Sequence, residues 1–156
     1  MKLTVVAVGH KPPAWIAEGC AEYTRRMPRD LPLAVVEVRP EPRGSKSRQQ
    51  LLAAERDRLQ LALQSYSRTV VLDERGSDLT TRQLADRLEA WRYAGGDTAF
   101  VVGGADGVDQ ALKQQAAETL RLSSLTLPHM LARLVLCEQL YRAYSLLCNH
   151  PYHREG

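Results

Sequence analysis

The densest group of chemically active side chains lies at the end of the chain, in Asn149-His150-Pro151-Tyr152-His153-Arg154. Histidine can move protons near neutral pH, tyrosine can stack on a nucleobase, and arginine can hold a phosphate or a developing anion. A frayed terminus is the alternative interpretation, but frayed ends are rarely so dense in such side chains. The tail is therefore a candidate for proton transfer and anion binding, although its spacing alone names no reaction.

The segment before the tail has the pattern of a helix that is apolar around nearly its whole circumference. It begins at Pro128 and continues to about Cys148. Such a helix should be buried. Because one 156-residue chain offers little core for it, we expect a second copy of the chain to cover part of its surface. Glu138 and Arg142 have the spacing of an ion pair on one helix face.

Two turns in the second half of the chain could bind a ligand through their backbone. The first, Gly103-Gly104-Ala105-Asp106-Gly107, follows an apolar strand pattern, and its glycines would let a ligand approach closely. It matches neither GxGxxG nor a P-loop, so a tight strand-to-helix turn is an equally good interpretation. The second, Leu122 to Leu127, could offer an apolar slot to an adenine, or could simply end a strand. His129, beside Pro128, is more often structural than catalytic.

The net charge of +3 is less informative than its distribution, because the basic excess lies in the first half. This pattern is a weak to moderate indication of nucleic-acid binding. A solvated face would explain the charge equally well. The basic residues form two clusters, Arg25, Arg26 and Arg29 in one and Arg39, Arg43, Lys46 and Arg48 in the other.

Length and composition exclude several classes of protein. The chain has 156 residues and 44% hydrophobic residues, as expected for one ordinary globular domain. No apolar run approaches the ~20 residues of a membrane span. The apolar start leads into Gly9-His10-Lys11-Pro12-Pro13 and not into a cleavage site, so we expect a cytoplasmic protein. Three cysteines without CxxC spacing argue against a disulfide framework and a zinc site.

The elements that must position these residues alternate between strand and helix. Alternation of this kind predicts an α/β fold, a parallel sheet with helices on both faces. Ligands bind such sheets at the carboxyl ends of the strands, so the loops 73–78, 103–107 and 123–128 are expected to form the site. The predicted strands are Leu3–Val8, Leu33–Val38 near an edge, Thr69–Leu72, Thr98–Val102 and one within 120–127, and capping boxes at Ser47 and Thr80 start two of the helices.

Five motifs, in order and with similar spacing, resemble the bacterial ribosomal RNA large subunit methyltransferase H family of the SPOUT superfamily. The resemblance spans the whole chain, with a departure at Ala105-Asp106, where many relatives have Pro-Glu, and its weakest part at 39–66. The motifs are Met1-Lys2-Leu3 through Gly9, Val102-Gly103-Gly104 with Gly107, Leu122-Ser123 with Leu125 through His129, Glu138 with Tyr141-Arg142-Ala143, and Asn149 through Glu155.

The resemblance implies a complete fold and a complete reaction. Residues 1–156 would form a single SPOUT methyltransferase domain with a deep C-terminal trefoil knot, paired as a homodimer through the knotted region. Such proteins use S-adenosylmethionine to methylate N3 of a pseudouridine in the helix-69 loop of 23S rRNA, on the assembled 70S ribosome. They require no metal and no membrane.

The resemblance also implies residue roles, and the chemistry is compatible with them. Methyl transfer needs in-line positioning, and loss of the N3 proton calls for a base and a cation near the target. We expect catalytic roles for Arg142, Tyr152, His153 and Arg154. Arg25, Arg26, Arg29, Arg43, Lys46 and Arg48 are expected to position the RNA backbone. The expected cofactor contacts are Leu72, Gly103, Leu122, Ser123, Ser124, Leu125, Thr126 and Leu127.

Two alternatives stay open at this point. One is another SPOUT reaction, such as ribose methylation of transfer RNA, which would place the methyl group on a 2′-oxygen. The other is a non-enzymatic ribosome-binding or assembly protein that keeps a relic cofactor pocket.

Overall fold

A computed structural model describes residues 1–154 of the chain. In this part the strands form one sheet, ordered β2-β1-β4-β3-β5, and every pairing in it is parallel. The predicted parallel α/β sheet is confirmed, as is the edge position of the second strand. The strands are β1 at Leu3–Val8, β2 at Leu33–Val38, β3 at Arg68–Asp78, β4 at Thr98–Val102 and β5 at Glu118–Arg121.

Helices follow the strands, and local sequence fixes where two of them begin. Both predicted capping boxes form: the side chains of Ser47 and Thr80 accept from the backbone of Gln50 and Gln83, which satisfies otherwise orphaned N–H groups. The helices are α1 at Ala14–Arg26, α2 at Arg48–Leu63, α3 at Thr81–Ala94, α4 at Gln110–Gln115 and α5 at His129–Leu147, with a 3₁₀ helix at Pro151–Arg154.

The alternating side chains of β1 divide the core into two layers. Leu3, Val5 and Ala7 pack with residues of α1, α3 and α5, whereas Val6 and Val8 pack on the opposite face with residues of α2 and α4. Successive strand residues point to opposite faces, so a strand buried on both sides is apolar at nearly every position, and Thr4 is the exception in β1. Helices therefore cover both faces of the sheet, as predicted.

The sequence-based boundaries fail around β3 and β5. The turn predicted at 73–78 is wrong, because β3 continues to Asp78 through a register shift between Leu72 and Ser77. At Gly76 an added Cβ would lie 2.5 Å from the backbone of Leu120, so the bulge needs a glycine. The fifth strand ends at Arg121, and 122–128 is a loop.

The strand order determines where a ligand can bind. Because β4, β3 and β5 are neighbours, their carboxyl ends bring together loops from three separate parts of the chain. The trefoil knot is implied by the resemblance and stays a prediction. Within residues 1–154, no helix is long and apolar enough to cross a membrane.

Candidate active site

A cavity of about 630 Å³ opens at the carboxyl ends of β3, β4 and β5. Its volume lies in the ~300–1,000 Å³ range of small-molecule sites. The structure places every residue predicted to contact the cofactor in its wall, although this location does not itself test binding. Those residues are Leu72, Gly103, Leu122, Ser123, Ser124, Leu125, Thr126 and Leu127.

The glycine turn forms one side of the cavity, and its shape depends on missing side chains. A Cβ at Gly103 would lie 2.6 Å from the carbonyl oxygen of Gly107, and Gly107 itself has φ +87°. The N–H of Gly107 donates to the carbonyl of Gly104 at 3.1 Å, which closes the turn. The tight turn is therefore present, and it lines the cavity, where ligand binding by its backbone stays a prediction.

Charged side chains line the β3 side of the cavity. Lys113 on α4 donates from Nζ to Asp73 Oδ1 at 3.2 Å, and both residues face the cavity. Arg121 forms two 2.6 Å hydrogen bonds with Asp78. Segment 73–78 was expected at the site, but Asp73 was not singled out within it. Its position directly after Leu72, at the end of the apolar run of β3, was the available signal.

The second basic cluster lies at the mouth of the same cavity. Arg43 pairs with the carboxylate of Asp106, and Arg48 donates to the backbone carbonyl of Asp106 at 2.8 Å. The hydrogen bond from Arg43 lowers the pKa of Asp106, against the effect of burial. Lys46 lies 3.3 Å from the carboxylate of Glu41. These three predicted RNA contacts are therefore tied to the protein, and Arg43 and Arg48 are tied to the glycine turn.

The tail folds back onto the far end of α5 of its own chain. The hydroxyl of Tyr152 donates to Glu138 at 3.0 Å, and its ring contacts Tyr141 edge-on at a centroid distance of 4.8 Å. The guanidinium of Arg142 lies 2.7 Å from Glu138 and 4.9 Å from the centre of the Tyr152 ring. Up to Arg154 the tail is therefore an ordered element and not a frayed end, while Glu155 lies outside the described residues.

The four predicted catalytic residues have different protonation behaviour. Burial, the hydrogen bond with Tyr23 and the charge of Glu138 all raise the pKa of Tyr152, so its phenol stays protonated at neutral pH. His153 Nδ1 is buried, with no hydrogen-bond partner among the described residues. Arg154 is exposed.

The first basic cluster lies beside the tail. Arg25 and Arg26 share the carboxylate of Glu22, with 2.7 Å between Arg26 Nη2 and Glu22 Oε1. The guanidinium of Arg26 also lies 5.8 Å from the centre of the Tyr152 ring. Arg29 follows the helix and is exposed. The two predicted RNA-binding clusters therefore occupy opposite ends of the candidate site.

Within one chain, the tail and the cavity occupy different parts of α5. His129 and Ala132, at the start of α5, line the cavity, whereas the tail packs on Glu138 and Tyr141 further along. At 1.5 Å per residue, Ala132 and Glu138 are about 9 Å apart along the helix axis, and His129 and Tyr141 about 18 Å. None of the tail residues 149–154 lines the cavity.

His129 is a second residue that sequence reasoning undervalued. Its position beside Pro128 favoured a structural role, but the structure places His129 in the cavity wall. Burial and the nearby charge of Arg133 lower the pKa of His129, so the imidazole is neutral at neutral pH. Within residues 1–154, no cluster of three or more His, Cys, Asp or Glu side chains could hold a metal ion.

The comparisons with known proteins agree with this geometry. A family described as "Predicted SPOUT methyltransferase" matches residues 1–153. The ribosomal RNA large subunit methyltransferase H of Dechloromonas aromatica (strain RCB) is 64% identical over 156 residues, with 100% of each chain covered. The protein of the same name from Burkholderia thailandensis is 57% identical over 155 residues, with 99% of each covered.

A solved structure supports the fold independently of close sequence similarity. A probable methylase family protein from Haemophilus influenzae Rd KW20 superposes with a TM-score of 0.59 at 13% identity, over 97% of this chain and 69% of that one. At this identity the likeness concerns the fold alone. With the full-length matches, it completes the assignment: the chain belongs to the SPOUT methyltransferase family, in the group of the ribosomal RNA large subunit methyltransferase H proteins.

Proposed function

We propose that this methyltransferase transfers a methyl group from S-adenosylmethionine to N3 of a pseudouridine in the helix-69 loop of 23S rRNA, on the assembled 70S ribosome. The observation that carries the proposal is the single cavity formed by all the residues expected to contact the cofactor. The names of the relatives, at up to 64% identity, support ribosomal RNA as the substrate class. A ribosomal substrate in turn places the protein in the cytoplasm.

The cavity has the composition that the cofactor requires. Leu72, Val102 and Leu122 supply apolar surface for an adenine, and the glycine turn exposes backbone instead of side chains. The side chain of Ser123 accepts from the N–H of Leu125 at 3.0 Å, which bends the loop along the cavity wall. S-adenosylmethionine, when bound, supplies a methyl group on a sulfonium whose departure leaves a neutral thioether.

The tail supplies the chemistry that the cavity lacks. The N3 proton must be removed, and among the four expected catalytic residues the imidazole of His153 is the candidate base. The negative charge that then spreads over the base is stabilised by Arg154 and Arg142, whose guanidinium groups cannot lose their protons. Tyr152, protonated and packed on Tyr141, anchors the tail in place.

A site of this kind needs two copies of the chain. Because the tail packs on Glu138 and Tyr141 of its own chain, and none of residues 149–154 lines the cavity of that chain, we infer that the tail that serves one cavity comes from the partner subunit in the homodimer. The helix has the surface for such a contact. Besides its buried face, α5 carries apolar side chains that one chain covers only in part: Met130, Leu131, Leu134, Val135, Leu146 and Leu147.

Dimerisation also explains the placement of the basic clusters. Arg25, Arg26 and Arg29 lie beside the tail of one subunit, and Arg43, Lys46 and Arg48 lie beside the cavity. When a tail reaches the cavity of the other subunit, both clusters flank the same site. Phosphate contacts position RNA without reading its sequence, so the clusters would hold the ribosomal RNA on either side of the target base.

The proposal is tested by incubating 70S ribosomes that lack the modification with labelled S-adenosylmethionine and mapping the modified nucleotide. We expect label at N3 of one pseudouridine in the helix-69 loop, with free 23S rRNA as the comparison substrate. Label on a 2′-oxygen would indicate another SPOUT reaction. Tight ribosome binding without transfer, by a chain that does not bind the cofactor in calorimetry, would indicate an assembly protein.

A further inference from the structure

The cavity wall contains an ion pair that the mechanism above does not use. Asp73 and Lys113 both line the cavity, with 18% and 21% of their side-chain surfaces exposed. Asp73 follows Leu72, where β3 shifts register against β5, and Lys113 projects from α4. The pair therefore joins the irregular part of β3 to the helix that follows the glycine turn. A partly exposed ion pair contributes little to folding, so its position inside the cavity calls for another explanation.

We propose that Asp73 recognises the ribose of the cofactor by accepting hydrogen bonds from its 2′- and 3′-hydroxyl groups. The inference rests on the proposed function, because it requires that the cavity bind S-adenosylmethionine. Lys113 occupies only Oδ1 of the carboxylate, and Oδ2 has no partner among residues 1–154. An ionised carboxylate accepts about four hydrogen bonds, which leaves room for two neighbouring hydroxyl donors.

The charge of Lys113 selects the ribose over the amino-acid end of the cofactor. The ammonium group of that end would also be attracted to a carboxylate. With Lys113 Nζ 3.2 Å from Asp73, however, the negative charge is already neutralised, and a second cation would be repelled at short range. Neutral hydroxyl donors gain the charge-assisted hydrogen bond without that repulsion.

The other carboxylates of the cavity are less suited to this role. Asp106 is bound to Arg43 through its side chain and to Arg48 through its carbonyl, and Glu74 is exposed. Asp73 and Asp106 are similarly buried, but Asp106 is held at the mouth of the cavity by two arginines, whereas Asp73 lies directly after Leu72, which supplies apolar surface for the adenine. Acidic side chains hold ribose hydroxyls at the strand ends of other nucleotide-binding sheets for the same chemical reason.

The inference is tested by titration calorimetry with S-adenosylhomocysteine and its 2′,3′-dideoxy analogue. The unmodified protein should bind the dideoxy compound about 10- to 100-fold more weakly, the loss expected for hydrogen bonds to a charged acceptor. Asp73→Asn should bind S-adenosylhomocysteine with a similar loss and distinguish the two ligands by less than threefold, roughly the limit of such measurements. Asp86→Asn, which changes an exposed carboxylate on α3, should behave like the parent.

A third ligand separates the ribose from the amino-acid end. 5′-Methylthioadenosine keeps the ribose and lacks the amino acid, so Asp73→Asn should weaken its binding as much as that of S-adenosylhomocysteine. Equal binding of this ligand by parent and variant would mean that Asp73 contacts the ammonium, and would overturn the inference. So would an unchanged preference for the ribose hydroxyls in Asp73→Asn.

Ligand binding by the unmodified protein distinguishes a failure of this inference from a failure of the proposed function. If the parent binds none of the three ligands, the proposed function fails and the inference fails with it. If the parent binds S-adenosylhomocysteine but tolerates the dideoxy analogue fully, only the inference fails. Thermal melting checks that Asp73→Asn is folded, and Asp73→Ser gives the same comparison if it is not.

Discussion

The two ends of α5 differ in the kind of structure they present. At its start, the cavity is built mainly from backbone turns, and its shape depends on glycines such as Gly103 and Gly107. At its far end, the tail is built from packed side chains, with Tyr152, Glu138 and Arg142 holding one another. One end is suited to enclosing a small molecule and the other to proton transfer and anion binding. Neither end contains a complete site, which is why the proposed reaction needs two subunits.

The largest expected effect on methylation comes from disabling the cavity in one variant and the tail in another. Ser124→Trp should fill the cavity from an exposed loop position, and Arg154→Ala should remove an exposed tail cation. Each variant alone should lose methylation by about 10²-fold or more. Mixed and allowed to exchange subunits, they should recover about a quarter of the parental rate, because half of the dimers then carry one intact pairing of cavity and tail.

The control for this mixing is a chain that carries both substitutions. Added to either single variant, it should restore nothing, since no cavity then meets an intact tail. The measurement is methyl incorporation into ribosomes at fixed total protein. A site contained in one chain predicts no recovery in any mixture, and that result would refute the two-subunit arrangement.

The comparison of the two ends also explains what the sequence could predict. Buried strands are apolar on both faces, so β1 and β4 were predicted with their observed bounds, and side-chain caps made the starts of α2 and α3 visible. The bulge in β3 was not predictable, since its charged residues resemble a turn and only the contact of Gly76 with Leu120 shows otherwise. Local patterns report local structure, and this contact is long-range.

Some features of the candidate site could likewise be predicted from local sequence, and others could not. The strand-end rule located the three segments that line the cavity, although 73–78 is part of β3 and not a loop, because the rule depends only on the order of strands and helices. The same rule could not find the Asp73–Lys113 pair, or the attachment of Arg43 to Asp106, since each joins residues distant in sequence. The tail was found from composition alone, but its packing on Glu138 and Tyr141, away from the cavity wall, required the structure.

The second prediction concerns how strictly the cavity end depends on backbone shape. Gly103→Ala should lower the free energy of unfolding by about 1–3 kcal/mol, the range for overpacking, because its Cβ would meet the carbonyl of Gly107. Binding of S-adenosylhomocysteine should fall with it. Gly104→Ala is the matched control, since its Cβ would lie 3.4 Å from Val8, an ordinary contact. Denaturant unfolding measures the free energy of unfolding, and calorimetry measures the binding of S-adenosylhomocysteine. Equal stability and equal binding in the two variants would contradict this account of the turn.

The third prediction contrasts the two basic clusters. Replacing Arg25 and Arg29 by Gln, or Arg43 and Arg48 by Gln, should reduce the salt dependence of ribosome binding by about one unit of slope per lost phosphate contact. Only the second pair should also weaken cofactor binding, because Arg48 lines the cavity and both residues hold Asp106. Binding measured across a salt series tests this. An unaltered slope in both variants would assign these arginines to ordinary solvated surface.

The smallest expected effect concerns the pH dependence of stability at the cavity end. Burial and the charge of Arg133 lower the pKa of His129 below its ordinary 6.5, so the unfolded chain binds a proton there more readily than the folded one. The contribution of His129 is therefore fully present above pH 6.5 and is lost as the pH falls toward the lowered pKa.

This sign makes a single-residue test possible. His129→Gln should flatten the fall in melting temperature between pH 6.5 and the onset of carboxylate titration, whereas His10→Gln, at an exposed position, should leave it unchanged. Burial raises the pKa of Glu55, which has the opposite sign and stabilises the fold as the pH falls. Because Glu55 is present in parent and variant alike, its contribution cancels in the difference between their pH profiles. Superimposable profiles would contradict the lowered pKa of His129.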